Sequence, residues 1–565
     1  MIAGVKVVRV TKCSLNNGVA MRFDVMDYVV FFGYIVGIVI LGLWVSRTKK
    51  GEEKNSQDYF LASKALPWWA IGSSLIAANI SAEQFIGMSG SGFAIGLAIA
   101  SYEWMAAATL LIVGKFFLPI FIEKQLYTIP EFIEKRFSTD LKTILAVFWI
   151  ALFIFVNLTS VLFLGGKAID TIVGNGDGHL IIYAILFLAF IAAAYSLYGG
   201  LSAVAWTDVV QVALLVIGGL LTTLVALNAV TPEGGIIHGF EHIYKHAGDH
   251  FHMILSRDNP QYFNLPGIAV LIGGMWVANL YYWGFNQYII QRALAAKSLR
   301  EAQRGLAFAG FLKLIIPIIV VIPGIIAYVL FTQPAGTTVI PGVKEAFLKV
   351  GGGINYDKAY PWLISQFIPI GLKGLVLAAL TAAIVSSLAS MLNSTSTIFT
   401  MDIFKPYIKK DATEHQLVFV GRLTAAIALI IAIVMAPVLG NIPQMFQYIQ
   451  EYTGLVSPGI LAVFLMGLFW KKTTNRGAIV GVTLSIVVAF VLKLPFIDLP
   501  WMDQMFYTMI ITMAIIMGVS LTTSPDVDDP KGIPLTNATF FTDSAFNISS
   551  YAILIILAVL YTVFW

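Results

Sequence analysis

Stretches of some 20 mostly apolar residues recur about fourteen times in this chain, the length one helix needs to cross a hydrocarbon layer about 30 Å thick. Nothing else constrains the fold as strongly. Inside lipid every backbone N–H and C=O must be paired within the protein, so each stretch is predicted to be a helix and the chain an all-α polytopic membrane protein. With 58% hydrophobic and only 12% charged residues, against roughly 25% charged in soluble domains, the 565 residues do not divide into two or three soluble domains. Predicted spans cover about residues 26–46, 66–95, 100–123, 141–166, 179–197, 205–228, 265–291, 305–331, 370–398, 417–438, 443–470, 475–493, 503–522 and 546–564. Residues 1–25 form a basic tail without the apolar run and cleavage site of a signal peptide, and the single cysteine, Cys13, has no partner for an internal disulfide.

The net charge is only +4, and the basic residues fall in short loops, so they speak to topology rather than to nucleic-acid binding. Loops after odd-numbered spans hold Arg47, Lys49, Lys50, Lys54 and Lys64, then Lys135 and Arg136, then Arg292, Lys297, Arg300 and Arg304, then Lys405, Lys409, Lys410, Lys471 and Lys472. The positive-inside rule makes those loops cytoplasmic and turns both termini outward. Five spans fit each of two halves, 66–228 and 265–470, and an odd number per half forces opposite topologies. Spans 26–46 and 475–564 are then peripheral. Each half opens on an overlong span with polar residues at mid-depth, LPWWAIGSSLIAANISAEQFIGMSGSGFAIG and GIAVLIGGMWVANLYYWGFNQYIIQR, which reads as an interrupted helix. Such a break is tolerated only where protein or water meets the freed backbone groups.

A charge at mid-membrane costs roughly 2.5 to 3.5 kcal/mol, so Glu83, Glu103, Lys313 and Glu451 each need a reason. With Asn79, Gln84, Asn279, Asn286, Gln287, Gln447 and Gln450 they cluster at the interrupted helices and in FQYIQEYTG, where an inverted repeat holds its ligand. The same residues also suit a network that merely holds helices together. A lining of carboxylate, ammonium and amides fits a neutral polyhydroxylated ligand, since each hydroxyl both donates and accepts. An amino acid facing Glu103 and Lys313 remains open. Tyr281, Tyr282 and Trp283 offer aromatic faces for a sugar ring, or ordinary packing. A second constellation, TAAIVSSLASMLNSTSTIF, puts Ser386, Ser387, Ser390, Asn393, Ser394, Thr395, Ser396 and Thr397 in an apolar span. It reads as close helix packing or, with carbonyls near Ala77 and Ile80 freed by the first interruption, as the oxygen cage of a sodium ion.

His238, His242, His246 and His250 recur every fourth residue, a metal-ligand spacing on one helical face, but their polar neighbours indicate a solvated amphipathic helix. GMSGSGFAIG lacks the Lys-Ser/Thr of a nucleotide loop, and no acyl-transfer triad or metal-hydrolase signature is present, so neither ATP-driven transport nor catalysis is expected.

The strings SLIAANISAEQFIGMSGSG, SYEWM, VANLYYWGFNQYIIQR, AAIVSSLASMLNST and FQYIQEYTGLVSPG closely resemble the sodium:solute symporter family, in particular its sugar carriers, from about residue 14 to the C-terminus. The resemblance implies a LeuT-like five-plus-five inverted repeat in fourteen spans, in a bacterial plasma membrane. It implies import of a hexose, galactose or glucose, coupled to sodium, with no organic cofactor. Carried over by position, it implies sugar contacts by Asn79, Gln84, Glu103, Asn279, Lys313 and Gln450, with Tyr282 as the inner gate. Met88, Tyr102 and Phe446 correspond to the outer lid. Sodium would meet the carbonyls of Ala77, Ile80 and Ala383 and the hydroxyls of Ser386 and Ser387, and leave past Asp208. Ala106 departs from the pattern, which has a sugar-contacting serine there. Proline, pantothenate or sialic acid as the solute, or an uncoupled sugar sensor or uniporter, are the alternatives.

Overall fold

A run of apolar residues in lipid becomes helical because only the helix pairs every backbone group within its own segment. The computed structural model follows this rule throughout. It describes residues 23–565 except 46, 48–54, 175, 334–339, 341, 349–351, 442–444 and 525–526. The tail called over residues 1–25, with Cys13, lies almost wholly outside the described residues. In chain order come α1 (Val25–Val45), α2 (Trp68–Asn79), α3 (Ser89–Ile95), α4 (Leu97–Glu123), α5 (Thr139–Val173), α6 (Ile181–Ala194), α7 (Gly200–Ala229) and α8 (Ile236–His246). They are followed by α9 (Gly274–Phe285), α10 (Gln287–Leu294), α11 (Leu299–Thr332), α12 (Leu372–Ile408), α13 (Glu414–Gly440), α14 (Met445–Thr453), α15 (Ser457–Phe469), α16 (Asn475–Leu492), α17 (Trp501–Thr523) and α18 (Ser544–Val563). Among the described residues ten of these are long and apolar enough to cross a membrane, or eleven with α14 and α15 taken as one span bent by 46°. That bend was not expected. Its cause is local, Gly454 at the end of α14 and Pro458 in the first turn of α15.

The helices sort by environment. The most apolar window of α12 is 94% buried and that of α11 78%, whereas those of α1, α16, α17 and α18 are 22%, 33%, 28% and 17% buried. The first pair forms the core and the others turn large apolar side chains outward. Between α6 and α7 the chain turns at Gly200, whose φ of +64° and contact with the Tyr59 carbonyl, 2.3 Å from where a Cβ would stand, admit only glycine.

Both expected interruptions are present, with nearly the same backbone. Ile80 ends α2 at φ −81°, ψ 101°, and Asn286 separates α9 from α10 at φ −82°, ψ 118°. Helix α11 runs along the first break. Gly305 lets it approach Ile71 on α2, and Gly324 lets it approach Ser89 on α3, where a Cβ would stand 2.1 Å from the Ser89 carbonyl oxygen. Lys313 lies between these two contacts and so is held opposite the unwound segment.

Two expectations need correction. The four histidines do not share a helical face: α8 ends at His246, and His250 sits in the following turn with its ring stacked 3.7 Å from that of Tyr328. Among the described residues no group of His, Cys, Asp and Glu is arranged to hold a metal ion. Arg136 and Arg292, counted as loop charges, are 2% and 0% exposed. Arg136 spends its guanidinium on the carbonyls of Gly467 and Thr473 and on Asp529, which makes it a brace between helix ends.

Candidate functional site

The break after α2 points its polar residues into a cavity at the centre of the helices. Asn79, Gln84, Glu103, Asn279, Tyr282, Lys313 and Gln450, the seven side chains the sequence put at the solute, all line it. They come from α2 and the π-turn Glu83–Met88, from α4, α9, α11 and α14. Lys313, only 1% exposed, donates to the Asn79 side-chain oxygen and to Glu103 Oε2, and its Nζ lies 4.9 Å from the centre of the Trp283 ring. Asn79 Nδ2 in turn donates to Tyr282 Oη at 3.0 Å, and Tyr288 Oη donates to the same oxygen at 2.7 Å. The Gln84 carbonyl accepts from the Ser81 backbone N–H and hydroxyl at 3.0 and 3.2 Å, which leaves its amide nitrogen as the end free to donate to a ligand. Asn279 donates to the Met275 carbonyl at 3.2 Å and keeps its own oxygen as an acceptor.

Of the expected lid, the Tyr102 and Phe446 rings meet edge to face with centroids 5.1 Å apart, and both line the cavity. Met88 does not line it. The π-turn gives the cavity Glu83 and Gln84 and lays Gly87 against Phe446, so Met88 is packed wholly into the core. Several polar residues of the first constellation also fall elsewhere. Gln287 accepts from the Ile129 N–H and donates to the Tyr127 carbonyl, tying the second break to the chain before residue 130. Asn286 and Gln447 are buried off the cavity, and Glu451 pairs with Lys493 at 2.6 Å. Tyr281 lines the wall but takes a hydrogen bond from Trp149 Nε1 at 3.1 Å.

The hydroxyl-rich span divides in the same way. Thr395 and Thr397 donate to carbonyls one turn back and Ser394 to Gln291, which is packing. Ser386 and Ser387 differ. Ser386 Oγ donates to Asp208 Oδ1 on α7 at 2.5 Å, and Ser387 Oγ donates to the Ala78 carbonyl at the end of α2 at 2.9 Å. The helical ladder of α2 closes with Ile80 N–H on Ile76, and Ser81 N–H turns to Gln84 instead, which frees the Ala77 carbonyl. A hydroxyl has one proton and two lone pairs, so with their protons placed on Asp208 and Ala78 both serines keep oxygen lone pairs for a cation. Ala77, Ile80 and Ala383 are fully buried. Neutral hydroxyls and carbonyls of this kind are the donors that suit a hard monovalent ion.

Three residues missed in the sequence complete this region. Arg292 donates through Nε to the Ser74 carbonyl and hydroxyl, at 3.1 and 2.7 Å, and through its terminal nitrogens to the Tyr288 carbonyl, to Ser390 Oγ and, at 3.4 Å, to Asp208 Oδ2. Ser74 Oγ reaches the same carboxylate oxygen at 2.5 Å. The available signal was the i, i+4 spacing of Tyr288 and Arg292 on a strongly amphipathic α10, overridden because Arg292 stands where a span ends.

A family model described as "Sodium:solute symporter family" matches residues 59–485. The chain is 63% identical to a "Sodium/glucose cotransporter" of Vibrio parahaemolyticus over 98% of this chain and all of that one. It is 33% identical to the human "Sodium/myo-inositol cotransporter 2", covering 91% and 79% of the two chains. Among solved structures, that of a Na+-coupled sialic acid symporter in a substrate-bound outward-open state superposes with a TM-score of 0.75 at 25% identity, over 88% of this chain and 98% of that one. On the match to the family model and on these relatives, the chain belongs to the sodium:solute symporter family.

Proposed function

We propose that the chain imports a hexose, galactose or glucose, together with sodium across a bacterial plasma membrane, by alternating access, carrying its solute rather than converting it. One observation carries the reading: the unwound segment after α2 serves both sites. Asn79 and Gln84 border the cavity, while the Ala78 carbonyl just before them accepts from Ser387 and the Ala77 carbonyl is released from the helical ladder. A cation that draws on those carbonyls sets the backbone that presents Asn79 and Gln84, so each ligand favours the other. The sugar contacts are Asn79, Gln84, Glu103, Asn279, Lys313 and Gln450, with Tyr282 beneath as inner gate and Tyr102 and Phe446 above. Sodium takes Ala77, Ile80, Ala383, Ser386 and Ser387 and leaves past Asp208, which already touches Ser386.

The architecture consistent with this is fourteen spans: the eleven above, the short α6, and the two interrupted helices. The matching backbone at Ile80 and Asn286 supports two inverted halves, 66–228 and 265–470, with 26–46 and 475–564 outside them and both termini facing outward. One sodium per sugar is enough for accumulation, since about 100 mV supplies roughly 2.3 kcal/mol and a tenfold gradient roughly 1.4, together several hundredfold. Uptake into proteoliposomes under an imposed sodium gradient, with labelled galactose, glucose, myo-inositol, proline, pantothenate and sialic acid, is the test. Sodium-dependent uptake of a hexose is expected. Sodium-independent uptake of equal size, or uptake of a non-sugar alone, would refute the reading.

A further inference from the structure

Among the described residues three side-chain amides are buried with neither end hydrogen-bonded, those of Gln211, Asn393 and Gln447, and of these only Gln211 is 0% exposed. A buried amide in that state has given up its water and gained nothing in return, so the position calls for a partner that the protein itself does not supply.

The register of three helices puts Gln211 at the level of the candidate ion site. Asp208 on α7 accepts from Ser74 on α2 and from Ser386 on α12, each at 2.5 Å, so these three residues stand at one level. Helices α7 and α2 pass that level in the same direction, since the rings of Trp206 and Trp69, earlier on each, also meet, with centroids 5.5 Å apart. Helix α12 runs the other way, because Gly218, further along α7, packs against Ala379, earlier on α12, where a Cβ on the glycine would stand 2.7 Å from that of the alanine. Three residues carry a helix about 4.5 Å along its axis and return to nearly the same face. One such step from the shared level leads from Asp208 to Gln211, from Ser74 to Ala77, and from Ser386 back to Ala383. All three residues reached are fully buried, and the two alanines are those whose carbonyls the sodium reading uses.

The chemistry agrees with the placement. A glutamine carbonyl is a neutral, hard oxygen of the kind that hard cations take, like the hydroxyls and backbone carbonyls around it. Its amide N–H groups have an acceptor at the same level in the Ala77 carbonyl, released from the helical ladder. We propose that Gln211 is a further ligand of the transported sodium, giving the ion its side-chain Oε1 from α7 while Ala77 and Ala383 give their carbonyls from α2 and α12. The proposal rests on the sodium-coupled reading above.

The test uses the full chain, in proteoliposomes with labelled glucose and galactose and in detergent for thermal unfolding in sodium against choline chloride. Gln211→Met follows the shape of the side chain and removes both polar ends of the amide. It is expected to raise the sodium half-saturation of uptake roughly three- to tenfold, the scale of one lost hydrogen bond, with the hexose KM at saturating sodium within about twofold of wild type. In choline its melting temperature should equal or exceed that of wild type, since an unpaired buried amide has given way to an apolar group, and the sodium needed for half of the thermal stabilisation should rise by the same factor. An unchanged sodium half-saturation, whether or not the melting temperature in choline falls, makes Gln211 a structural residue; that overturns the proposal and leaves sodium-coupled transport standing. If Gln211→Met is not recovered folded, Gln211→Asn, the same amide drawn back by one methylene, is read for the same shift in half-saturation. Wild-type protein that carries neither sugar yet is stabilised by sodium refutes the hexose reading, and the sodium titration in detergent still decides on Gln211. Wild-type protein indifferent to sodium in both measurements overturns the coupling and the ligand together.

Discussion

Lys313 with Glu103 and Arg292 with Asp208 are both buried cation–carboxylate pairs, and they differ in their surroundings. Arg292 is surrounded: its donors go to Ser74, Tyr288, Ser390 and Asp208, and no side chain of that group borders the central cavity. Lys313 donates to Asn79 and Glu103 and keeps a third proton, beside the central cavity and the face of Trp283. A pair enclosed by protein groups fixes geometry, whereas a pair beside a cavity can exchange partners with a ligand. Under the proposed function the first would frame the ion side and the second would receive the solute.

The largest effect that separates the two should come from Arg292→Met. Removing one partner of a fully buried pair leaves the Asp208 charge without its counter-ion and the Ser74 hydroxyl oxygen without its donor, at a cost of about 3 to 5 kcal/mol. Loss of monodisperse protein or a sharply lower melting temperature in detergent is expected, with partial recovery in Arg292→Met/Asp208→Asn, where no charge remains. If Arg292→Met is as stable as wild type and loses only transport, the distinction between framing and receiving pairs fails.

Lys313→Ala should act in the opposite sense, because the cavity admits water and Glu103 can be solvated in place. Two charge-assisted hydrogen bonds that a sugar would share are lost, so hexose affinity should fall at least about a hundredfold, close to 3 kcal/mol, with a much smaller change in melting temperature. Isothermal titration and thermal unfolding on one preparation measure both. Wild-type affinity would remove Lys313 from the site.

How much of this could be read in the chain follows from the same contrast. The cavity residues were legible because Asn79, Gln84, Glu103, Lys313 and Gln450 are polar in segments that lipid requires to be apolar, so each stands out one by one. The framing group was not. Arg292 stands at the end of a predicted span, where a positive charge has a sufficient explanation in topology, and only the fold brings it back against Ser74 and Asp208. The hydroxyl run was legible as a group but not divisible, because Ser386 and Thr397 look alike until it is known which hydroxyl faces Asp208 and which bonds its own helix. Glu451 misled for the converse reason, being polar within an apolar stretch yet turned to Lys493.

Ser387→Ala sharpens the ion side. In the proposed sodium site its hydroxyl is one oxygen among several, and its removal releases the Ala78 carbonyl, so the sodium half-saturation should rise about three- to tenfold. Sugar affinity at saturating sodium should stay within about twofold. A fall in sugar affinity that saturating sodium does not restore would place Ser387 with the solute instead.

The smallest predicted effect is at Ala106, which lines the cavity one turn after Glu103 on α4. The resemblance to sugar carriers puts a serine here, and the alanine leaves the wall without a hydroxyl beside the carboxylate. Ala106→Ser adds one oxygen that can both donate and accept, without adding a charge, on the wall of the cavity. One net hydrogen bond is worth about 0.5 to 1.5 kcal/mol, so affinity should tighten roughly two- to tenfold for the hexose whose hydroxyl falls within reach. Galactose and glucose differ only in the direction of one hydroxyl, so the gain should be unequal between them, and competition of labelled uptake by each sugar reads that ratio directly. An equal gain for both would mean that residue 106 meets a part of the ring they share. No gain for either would mean that the ring lies away from α4, and Glu103 would then serve Lys313 rather than the sugar.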